Sequence, residues 1–224
     1  MPFIEHIISL YAPHYCVGCG AESGVLLCPG CAEALPRAPS RCYKCKAVSR
    51  ASETCKRCRS GSPLAHVYVA THYDDEQVRK LLHATKYERA RDGIQSMVDC
   101  IVPALSGLPN DVLLVPVPTA SSRVRQRGYD QAVLLAHEIG VRTNLHSARF
   151  LARIGQAHQV GAGRTKRIEH LKGAFRSVHN RGLRDAHIVL VDDVLTTGAT
   201  LETAARVLKQ AGVAQVDAIV FAQA

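Results

Sequence analysis

The stretch Ile188-Val-Leu-Val-Asp-Asp-Val-Leu-Thr-Thr-Gly-Ala-Thr200 decides how this chain is interpreted. Its first four residues are apolar and predict a strand buried on both faces of a sheet. The two acids that follow are predicted to lie at the carboxyl end of that strand. Small hydroxylated residues then lead into a predicted helix over 200–211, whose free N–H groups and dipole point at the loop. This order of elements predicts an anion-binding site.

The rest of the chain beyond residue 62 repeats the alternation of strands and helices. Further strands are predicted over 67–73, 112–117 and 216–221, and further helices over 78–87, 94–105 and 130–139, the last stopped by Gly140. A polar and basic stretch over 153–172 predicts a long mobile loop. Alternating elements of this kind predict an α/β fold, with a parallel sheet and helices on both of its faces.

Eight of the nine cysteines fall in four C-x-x-C pairs before residue 62. Two such pairs complete a tetrahedral four-sulfur zinc site, so eight cysteines predict two closed, structural zinc sites. Pairing in sequence order gives one site of Cys16, Cys19, Cys28 and Cys31 and a second site of Cys42, Cys45, Cys55 and Cys58. A cross-braced pairing and a redox role are the alternatives, although a redox C-x-x-C normally occurs singly.

The change in composition near residue 62 predicts two domains. Residues 1–62 form a small zinc-ribbon module that depends on metal for its folding energy, because so short a segment buries little core. Residues 63–224 form the α/β domain. Gly61, Ser62 and Pro63 mark the predicted boundary.

The formal net charge is +9 and the pI is about 9.2. This excess fits an acidic partner, such as phosphates, nucleic acid or a membrane surface, or else a generally basic surface. No apolar run reaches the roughly 18 residues that a membrane span needs, and the first residues lack the pattern of a secretory signal. We therefore predict a cytoplasmic protein without a membrane span.

The acid pair and the loop after it each have a chemical reason. Asp192 and Asp193 can accept hydrogen bonds from the vicinal hydroxyls of a ribose or help to hold a hydrated Mg²⁺. The threonine hydroxyls add donors, and Gly198 lets the backbone approach a phosphate closely. The alternative is a simple strand, turn and helix with surface acids.

These thirteen residues resemble the fingerprint with which type I phosphoribosyltransferases bind phosphoribosyl pyrophosphate (PRPP). The resemblance implies that Asp192 and Asp193 hold the ribose hydroxyls. It also implies that a phosphate loop of Thr196, Thr197, Gly198, Ala199 and Thr200 holds the 5-phosphate. Mg²⁺ is expected to bind together with PRPP.

Other stretches resemble the ComF family of competence-associated, phosphoribosyltransferase-like proteins. They are the cysteine module, Leu81-Leu-His-Ala-Thr-Lys-Tyr87, Val115-Pro-Val-Pro118, Arg125-Gln-Arg-Gly-Tyr-Asp-Gln-Ala132 and Lys172-Gly-Ala-Phe175. The resemblance implies that Lys86, Arg125 and Arg127 help to bind PRPP and that Arg127 acts in catalysis with the two acids. A basic loop carrying Arg123, Arg125 and Arg127 would hold the pyrophosphate.

The stretch over 153–172 lies where related enzymes carry a loop that closes over PRPP. Arg153, Gln159, Lys166 and Arg167 match ComF-like positions there. The stretch departs from the pattern at Gln156 and His170. Closure of such a loop would exclude water from the reacting centre.

Two hypotheses for function follow. The first is a Mg²⁺-dependent transferase that moves phosphoribosyl from PRPP to an unidentified acceptor. The second is a non-catalytic protein that senses PRPP or a similar phosphate and contacts single-stranded DNA or a helicase. The ComF resemblance implies a role in DNA uptake during natural transformation for either one.

Overall fold

The computed structural model describes residues 15–87, 90–154, 173–178 and 182–224. The loop positions Gln156, Gln159, Lys166, Arg167 and His170 lie outside the described residues, so their predicted roles stay predictions. In the described part of the chain, no helix has the length and apolar character needed to cross a membrane.

A five-stranded parallel sheet forms the centre of the α/β part. Its strands are β1 (Val67–His72), β2 (Leu113–Pro116), β3 (His146–Ser147), β6 (His187–Leu195) and β7 (Gln215–Gln223), and they lie in the order β1-β7-β6-β2-β3. Two further strands, β4 (Leu151–Arg153) and β5 (Phe175–Ser177), pair antiparallel beside it. The predicted parallel sheet is confirmed.

Seven α-helices occur in the described residues, two of them in the cysteine segments. They are α1 (Pro29–Ala34), α2 (Lys56–Arg59), α3 (Glu76–Tyr87), α4 (Ala90–Ile101), α5 (Ser121–Arg127), α6 (Gln131–Thr143) and α7 (Ala199–Gln210). Two 3₁₀ turns cover Arg50–Ser52 and Val102–Leu105. The predicted helix over 94–105 is therefore an α-helix that begins earlier and ends in a 3₁₀ turn.

The structure corrects the prediction that Gly140 stops a helix. Helix α6 continues to Thr143 and ends at Asn144, which adopts the left-handed conformation. Gly140 is buried within the helix, where an added Cβ would lie 2.7 Å from the carbonyl oxygen of Leu145. Glycine is needed there because the returning chain packs against the helix.

Two other local predictions also change. The arginines predicted in a loop lie on α5, since arginine and glutamine favour helix and Gly128 ends it with a φ of 79°. Strand β6 continues beyond its apolar residues to Leu195. It does so because β7 continues alongside it and pairs with it as far as Gln223. The acid pair therefore lies within the last part of the strand.

Apolar side chains cover both faces of the sheet. On one face, α3, α4 and α6 pack against the sheet through a core that includes Leu81, Met97, Ile139 and Phe221. On the other face, α7 and the β4–β5 pair pack through a core that includes Phe175, Leu201, Ala204 and Leu208. Helices on both faces of a parallel sheet were predicted, and this prediction is confirmed.

The two cysteine segments pack on opposite faces of the sheet. The first contributes Leu26, Leu27 and Leu35 to the core that contains α3, α4 and α6. The second contributes Tyr43 to the core that contains α7. The domain boundary after residue 62 stays a prediction.

Candidate phosphate-binding site

The strand order reverses between β2 and β6, which are neighbours in the sheet. From β2 the chain passes through α6 to β3 on one side, whereas from β6 it passes through α7 to β7 on the other side. In open parallel sheets, ligands bind in the crevice outside the carboxyl ends of two such strands. The loops after β2 and β6 therefore border the expected ligand crevice.

Asp192 and Asp193 lie at this crevice and form a close acid pair. The backbone N–H of Asp193 donates to Oδ1 of Asp192 at 2.9 Å. Burial raises the pKa of Asp192 well above its usual value, and the charges of Asp193 and Asp130 raise it further. An acid pair in this environment favours a ligand that brings hydroxyl donors or a cation.

Two cationic side chains approach the acid pair. Nζ of Lys86, at the carboxyl end of α3, lies 3.8 Å from Oδ2 of Asp193. The guanidinium of Arg153 lies 5.4 Å from the ring centroid of Phe175, and its Nη1 donates to the carbonyl oxygen of Pro118 at 3.5 Å. Lysine, arginine and acids together suit a ligand that carries both phosphates and hydroxyls.

Arg153 is a partly buried cation that has spare hydrogen-bonding capacity. Its Nε is buried and has no hydrogen-bond partner among the described residues. Burial lowers the pKa of Arg153, the charge of Arg123 lowers it further, and Asp192 acts in the opposite direction. Arg153 therefore lies near both Pro118 after β2 and Asp192, and it is a candidate to bind a phosphate group.

The stretch Arg125–Ala132 connects α3 and the loop after β2. Tyr129 donates from its hydroxyl to the carbonyl oxygen of Thr85 at the end of α3. Asp130 caps α6 by accepting from the N–H of Ala132, and it also accepts from the hydroxyl of Thr119 at 2.8 Å. The tyrosine and the aspartate thereby tie α3 and the loop after β2 to the start of α6.

The arginines of the same stretch differ in their surroundings. Arg127 is half-buried and donates from Nη1 to Oε1 of Gln131 at 3.1 Å. Arg125 and Arg123 are exposed on α5. The binding and catalytic roles predicted for Arg125 and Arg127 stay predictions.

The phosphate loop connects β6 to α7. Gly198 is buried and adopts a φ of 79°, and it directly precedes the first residue of the twelve-residue helix. The N–H of Ala199 donates to Oγ1 of Thr197 at 3.4 Å. The first N–H groups of a helix have no partner within the helix, so this end is suited to an anion.

A tyrosine from the second cysteine segment lies against this loop. An added Cβ at Gly198 would lie 3.0 Å from Cε2 and 3.1 Å from Cδ2 of Tyr43. No sequence pattern predicted this contact. Arg153 was noticed in the sequence only as a position of the closing loop, and Asp130 only as part of a motif.

The eight paired cysteines form two groups, within each of which the sulfur atoms all lie within 4.8 Å of one another. The groups are Cys16, Cys19, Cys28 and Cys31, and Cys42, Cys45, Cys55 and Cys58. The predicted pairing in sequence order is confirmed. The Sγ separations of 3.9 Å for Cys19 and Cys28 and 3.6 Å for Cys45 and Cys55 approach the roughly 3.8 Å edge of a tetrahedral zinc site.

Two thiols of the first group have pKa values shifted in opposite directions. Burial raises the pKa of Cys16, but N–H groups of Cys28, Cys19 and Gly18 outweigh this effect and lower that pKa to about 6. The hydrogen bond with Cys28 and burial raise the pKa of Cys31 to about 12. Cys16 therefore loses its proton readily, whereas Cys31 resists ionisation unless a cation is bound beside it.

The second group repeats this division. Burial raises the pKa of Cys42, but backbone N–H groups of Cys45, Cys55 and Lys44 outweigh this effect and lower it to about 6. Burial and its cysteine neighbours raise the pKa of Cys58 to about 12. Both donor sets fit a structural zinc ion. Metal binding releases protons from such sets, so metal affinity falls as the pH falls.

Parts of the sequence are similar to a known family and to curated proteins. The phosphoribosyl transferase domain family matches residues 154–224. DNA utilization protein YhgH of Salmonella typhi is 29% identical over 202 residues, which cover 85% of this chain and 87% of the relative. Competence protein ComFC of Bacillus subtilis (strain 168) is 36% identical over 100 residues, which cover 45% of this chain and 39% of the relative.

Solved structures also match part of the chain. Adenine phosphoribosyltransferase from Thermoanaerobacter pseudethanolicus is 15% identical, with a TM-score of 0.39. The match covers 65% of this chain and 84% of that chain.

Proposed function

The chain belongs to the ComF family, and we propose that it binds PRPP with Mg²⁺ in the crevice between β2 and β6 as part of DNA uptake. The observation that carries this proposal is the acid pair beside the phosphate loop at the reversal of strand order. Asp192 and Asp193 accept hydrogen bonds from the ribose hydroxyls. Residues 196–200 bind the 5-phosphate through backbone N–H groups and threonine hydroxyls.

The pyrophosphate end of PRPP lies toward the loop after β2. Lys86, Arg127 and Arg153 supply positive charge there, and Arg125 is placed on the same helix as Arg127. The acid pair offers the oxygen ligands that Mg²⁺ prefers, and an ion bound there would neutralise the charge of the pyrophosphate. Charge neutralisation of the leaving group is the largest contribution that this site can make to transfer.

Transfer of phosphoribosyl is the catalytic form of the proposal. A nucleophile on the acceptor bonds to C1 of the ribose, and the bond from C1 to the pyrophosphate oxygen breaks. Pyrophosphate leaves with the electron pair of that bond, and the acceptor loses its proton to solvent. A screen of nucleobases for acceptor-dependent pyrophosphate release separates this form from a protein that only binds PRPP.

Calorimetric titration with PRPP and Mg²⁺ tests the binding step. We expect the double variant Asp192→Asn/Asp193→Asn to lose at least about 100-fold in affinity, because two charge-assisted hydrogen-bond acceptors are replaced. Ribose 5-phosphate is the control ligand, and it should bind more weakly than PRPP because it lacks the pyrophosphate. Absence of PRPP binding by zinc-loaded wild type would remove the proposal.

Contact with single-stranded DNA is the second candidate, and charge on the second cysteine segment supports it. Residues 37–59 contain eight lysines and arginines and one acid, whereas residues 15–36 contain two acids and no lysine or arginine. Seven of the eight basic side chains are exposed, namely Arg37, Arg41, Lys46, Arg50, Lys56, Arg57 and Arg59. Arg59 pairs with the single acid, Glu53. Such a cationic surface suits a polyanion.

Fluorescence anisotropy with a labelled oligonucleotide at several salt concentrations tests this candidate. We expect Arg50→Glu/Lys56→Glu/Arg57→Glu to weaken binding and to reduce its salt dependence. The variant Lys80→Glu/Arg184→Glu/Lys209→Glu makes the same charge change at exposed positions elsewhere and should bind as wild type. Equal losses in both variants would mean that only net charge matters. A role in DNA uptake would also imply a helicase as the protein partner.

A cytoplasmic location is part of the proposal. The paired cysteines are free thiols arranged for metal rather than disulfides. Such sets persist in a reducing compartment.

A further inference from the structure

The second cysteine group contacts the phosphate loop through the aromatic ring of Tyr43. Tyr43 directly follows Cys42, is 5% exposed, and belongs to the core on the α7 side of the sheet. Its ring fills the space that a side chain at residue 198 would need. The ring therefore supports the loop at the glycine where the backbone turns into α7.

Polar contacts fix the same region. The Tyr43 hydroxyl donates to Oε1 of Glu202 at 2.8 Å and lies 2.6 Å from Oγ of Ser62. Nζ of Lys44 lies 3.1 Å from the same Glu202 oxygen and donates to the carbonyl oxygen of Gly61 at 2.6 Å. Two consecutive residues of the cysteine turn thus bind one carboxylate.

Glu202 belongs to the first turn of α7. Its N–H donates to the carbonyl oxygen of Gly198 at 2.9 Å, which closes that turn directly behind the phosphate loop. Burial alone would raise the pKa of Glu202, but hydrogen bonds from Tyr43 and Lys44 outweigh this effect and lower it. The carboxylate is therefore held in its charged form by the cysteine segment.

The positions of Tyr43 and Lys44 depend on the metal group. Both lie between Cys42 and Cys45, and the turn is closed by a hydrogen bond from the N–H of Lys46 to the carbonyl oxygen of Cys42 at 2.8 Å. A metal ion that joins these two cysteines to Cys55 and Cys58 fixes the turn in this conformation. Without the ion, the turn is restrained by fewer bonds.

The first cysteine group makes different contacts. Leu27 donates from its N–H to Oγ of Ser96 on α4 at 3.2 Å, and Val17 packs against the core that contains α3 and α4. Gly18 lies close to the side chain of Gln77 on α3. This group therefore supports the opposite face of the sheet.

We infer that the second cysteine group positions the phosphate loop, with Tyr43 and Lys44 as positioning residues, so that metal bound there raises the affinity for PRPP. This inference rests on the proposed function. Coupling between two binding events is reciprocal. PRPP must therefore hold the metal of the second group more tightly by the same factor, and it leaves the metal of the first group unaffected.

Equilibrium competition for zinc between the chain and a chromogenic chelator measures this coupling. In the zinc-loaded chain, we expect saturating PRPP with Mg²⁺ to raise the affinity for one of the two zinc ions by about tenfold and to leave the affinity for the other unchanged. The variant Tyr43→Ala should lose this effect and bind PRPP about tenfold more weakly. The variant Tyr43→Phe keeps the ring, so its affinity for PRPP should fall only about threefold. Val17→Ala, at the equivalent position of the first group, is the matched control and should behave as wild type. Unchanged affinity for both ions in PRPP-bound wild type would overturn the inference.

Hydrogen–deuterium exchange separates failure of the inference from failure of the proposed function. It is measured on the peptide over 194–202 without PRPP, in proteins whose zinc content has been verified. We expect faster exchange in Tyr43→Ala and unchanged exchange in Val17→Ala. Equal exchange in wild type and Tyr43→Ala would overturn the positioning role whether or not PRPP binds. Faster exchange in a chain that fails to bind PRPP would leave the positioning role standing and remove the proposed ligand.

Discussion

Acidic residues lie both where the central strands begin, at the amino edge of the sheet, and where they end, at the carboxyl edge. The surroundings of these acids are very different. At the amino edge, Asp217 is 1% exposed and accepts from the N–H of His66 at 3.0 Å. Nε2 of His187 lies 2.7 Å from its Oδ2, Nδ1 of His66 lies 3.1 Å from its Oδ1, and Nε2 of Gln215 lies 3.0 Å from its Oδ2. This acid is provided with donors by three residues of the chain itself.

At the carboxyl edge, two acids, Asp192 and Asp193, lie next to each other in the strand. Asp192 receives a hydrogen bond from the backbone N–H of Asp193, and Nζ of Lys86 remains 3.8 Å from Oδ2 of Asp193. Burial raises the pKa of Asp192 well above its usual value. An acid with its own donors therefore stabilises the fold, whereas an acid pair that finds few donors among the described residues is suited to a ligand.

Removal of the carboxylate at the amino edge should have the largest effect on stability. We expect Asp217→Ala to lower the free energy of unfolding by about 3 kcal/mol, because it leaves partly buried donors of two histidines without an acceptor. Urea unfolding with zinc present measures the change, and exposed Asp74→Ala is the control. A loss below about 1 kcal/mol would mean that Asp217 is not a structural acid.

The carboxyl edge should respond in the opposite direction. We expect Asp192→Asn to raise the free energy of unfolding by about 1 kcal/mol at pH 8, because it removes a poorly solvated charge beside Asp193. The same urea titration measures this difference. A lower stability in Asp192→Asn would show that the acid pair supports the fold and would end the distinction between the two edges.

The gain from Asp192→Asn should depend on pH. A carboxyl whose pKa is higher in the folded state than in the unfolded state takes up a proton on folding, so its charge lowers stability at high pH. The penalty is present above the folded pKa and disappears as the pH falls toward the ordinary carboxyl value. We expect the stability difference between wild type and Asp192→Asn to shrink between pH 8 and pH 5. If this difference in the free energy of unfolding grew as the pH fell, the pKa of Asp192 would not be raised in the folded state.

The smallest stability effect should come from the cation beside the acid pair. We expect Lys86→Met to change the free energy of unfolding by less than about 0.5 kcal/mol, because a partly exposed pair at 3.8 Å contributes little. Affinity for PRPP should nevertheless fall by about tenfold, as expected for a lost phosphate contact. Lys80→Met removes a lysine from the same helix that pairs with Glu76 and should leave calorimetric affinity unchanged.

Much of this arrangement could be predicted from local patterns. Four apolar residues before two acids predicted the core of β6, and paired C-x-x-C motifs predicted both cysteine groups. Such features depend on residues close together in the sequence. The pairing of the last part of β6 could not be predicted in this way, because it depends on how far the neighbouring strand β7 continues.

Contacts between segments that are distant in the sequence could not be predicted from local patterns either. Tyr43 and Glu202 are 159 positions apart, and the cysteine segment meets the phosphate loop only because it packs on the α7 face. Gly140 was interpreted as a helix stop, although its role is set by packing against Leu145. In each case a single residue type has several uses, and the tertiary neighbours decide which one applies.

The most direct test compares one conservative variant from each edge by calorimetric titration with PRPP and Mg²⁺. Both Asp192→Asn and Asp217→Asn remove one carboxylate and keep the size of the side chain. We predict that zinc-loaded wild type and Asp217→Asn bind PRPP with similar affinity, and that Asp192→Asn binds at least about tenfold more weakly. No binding by wild type, or equal losses in the two variants, would contradict this account.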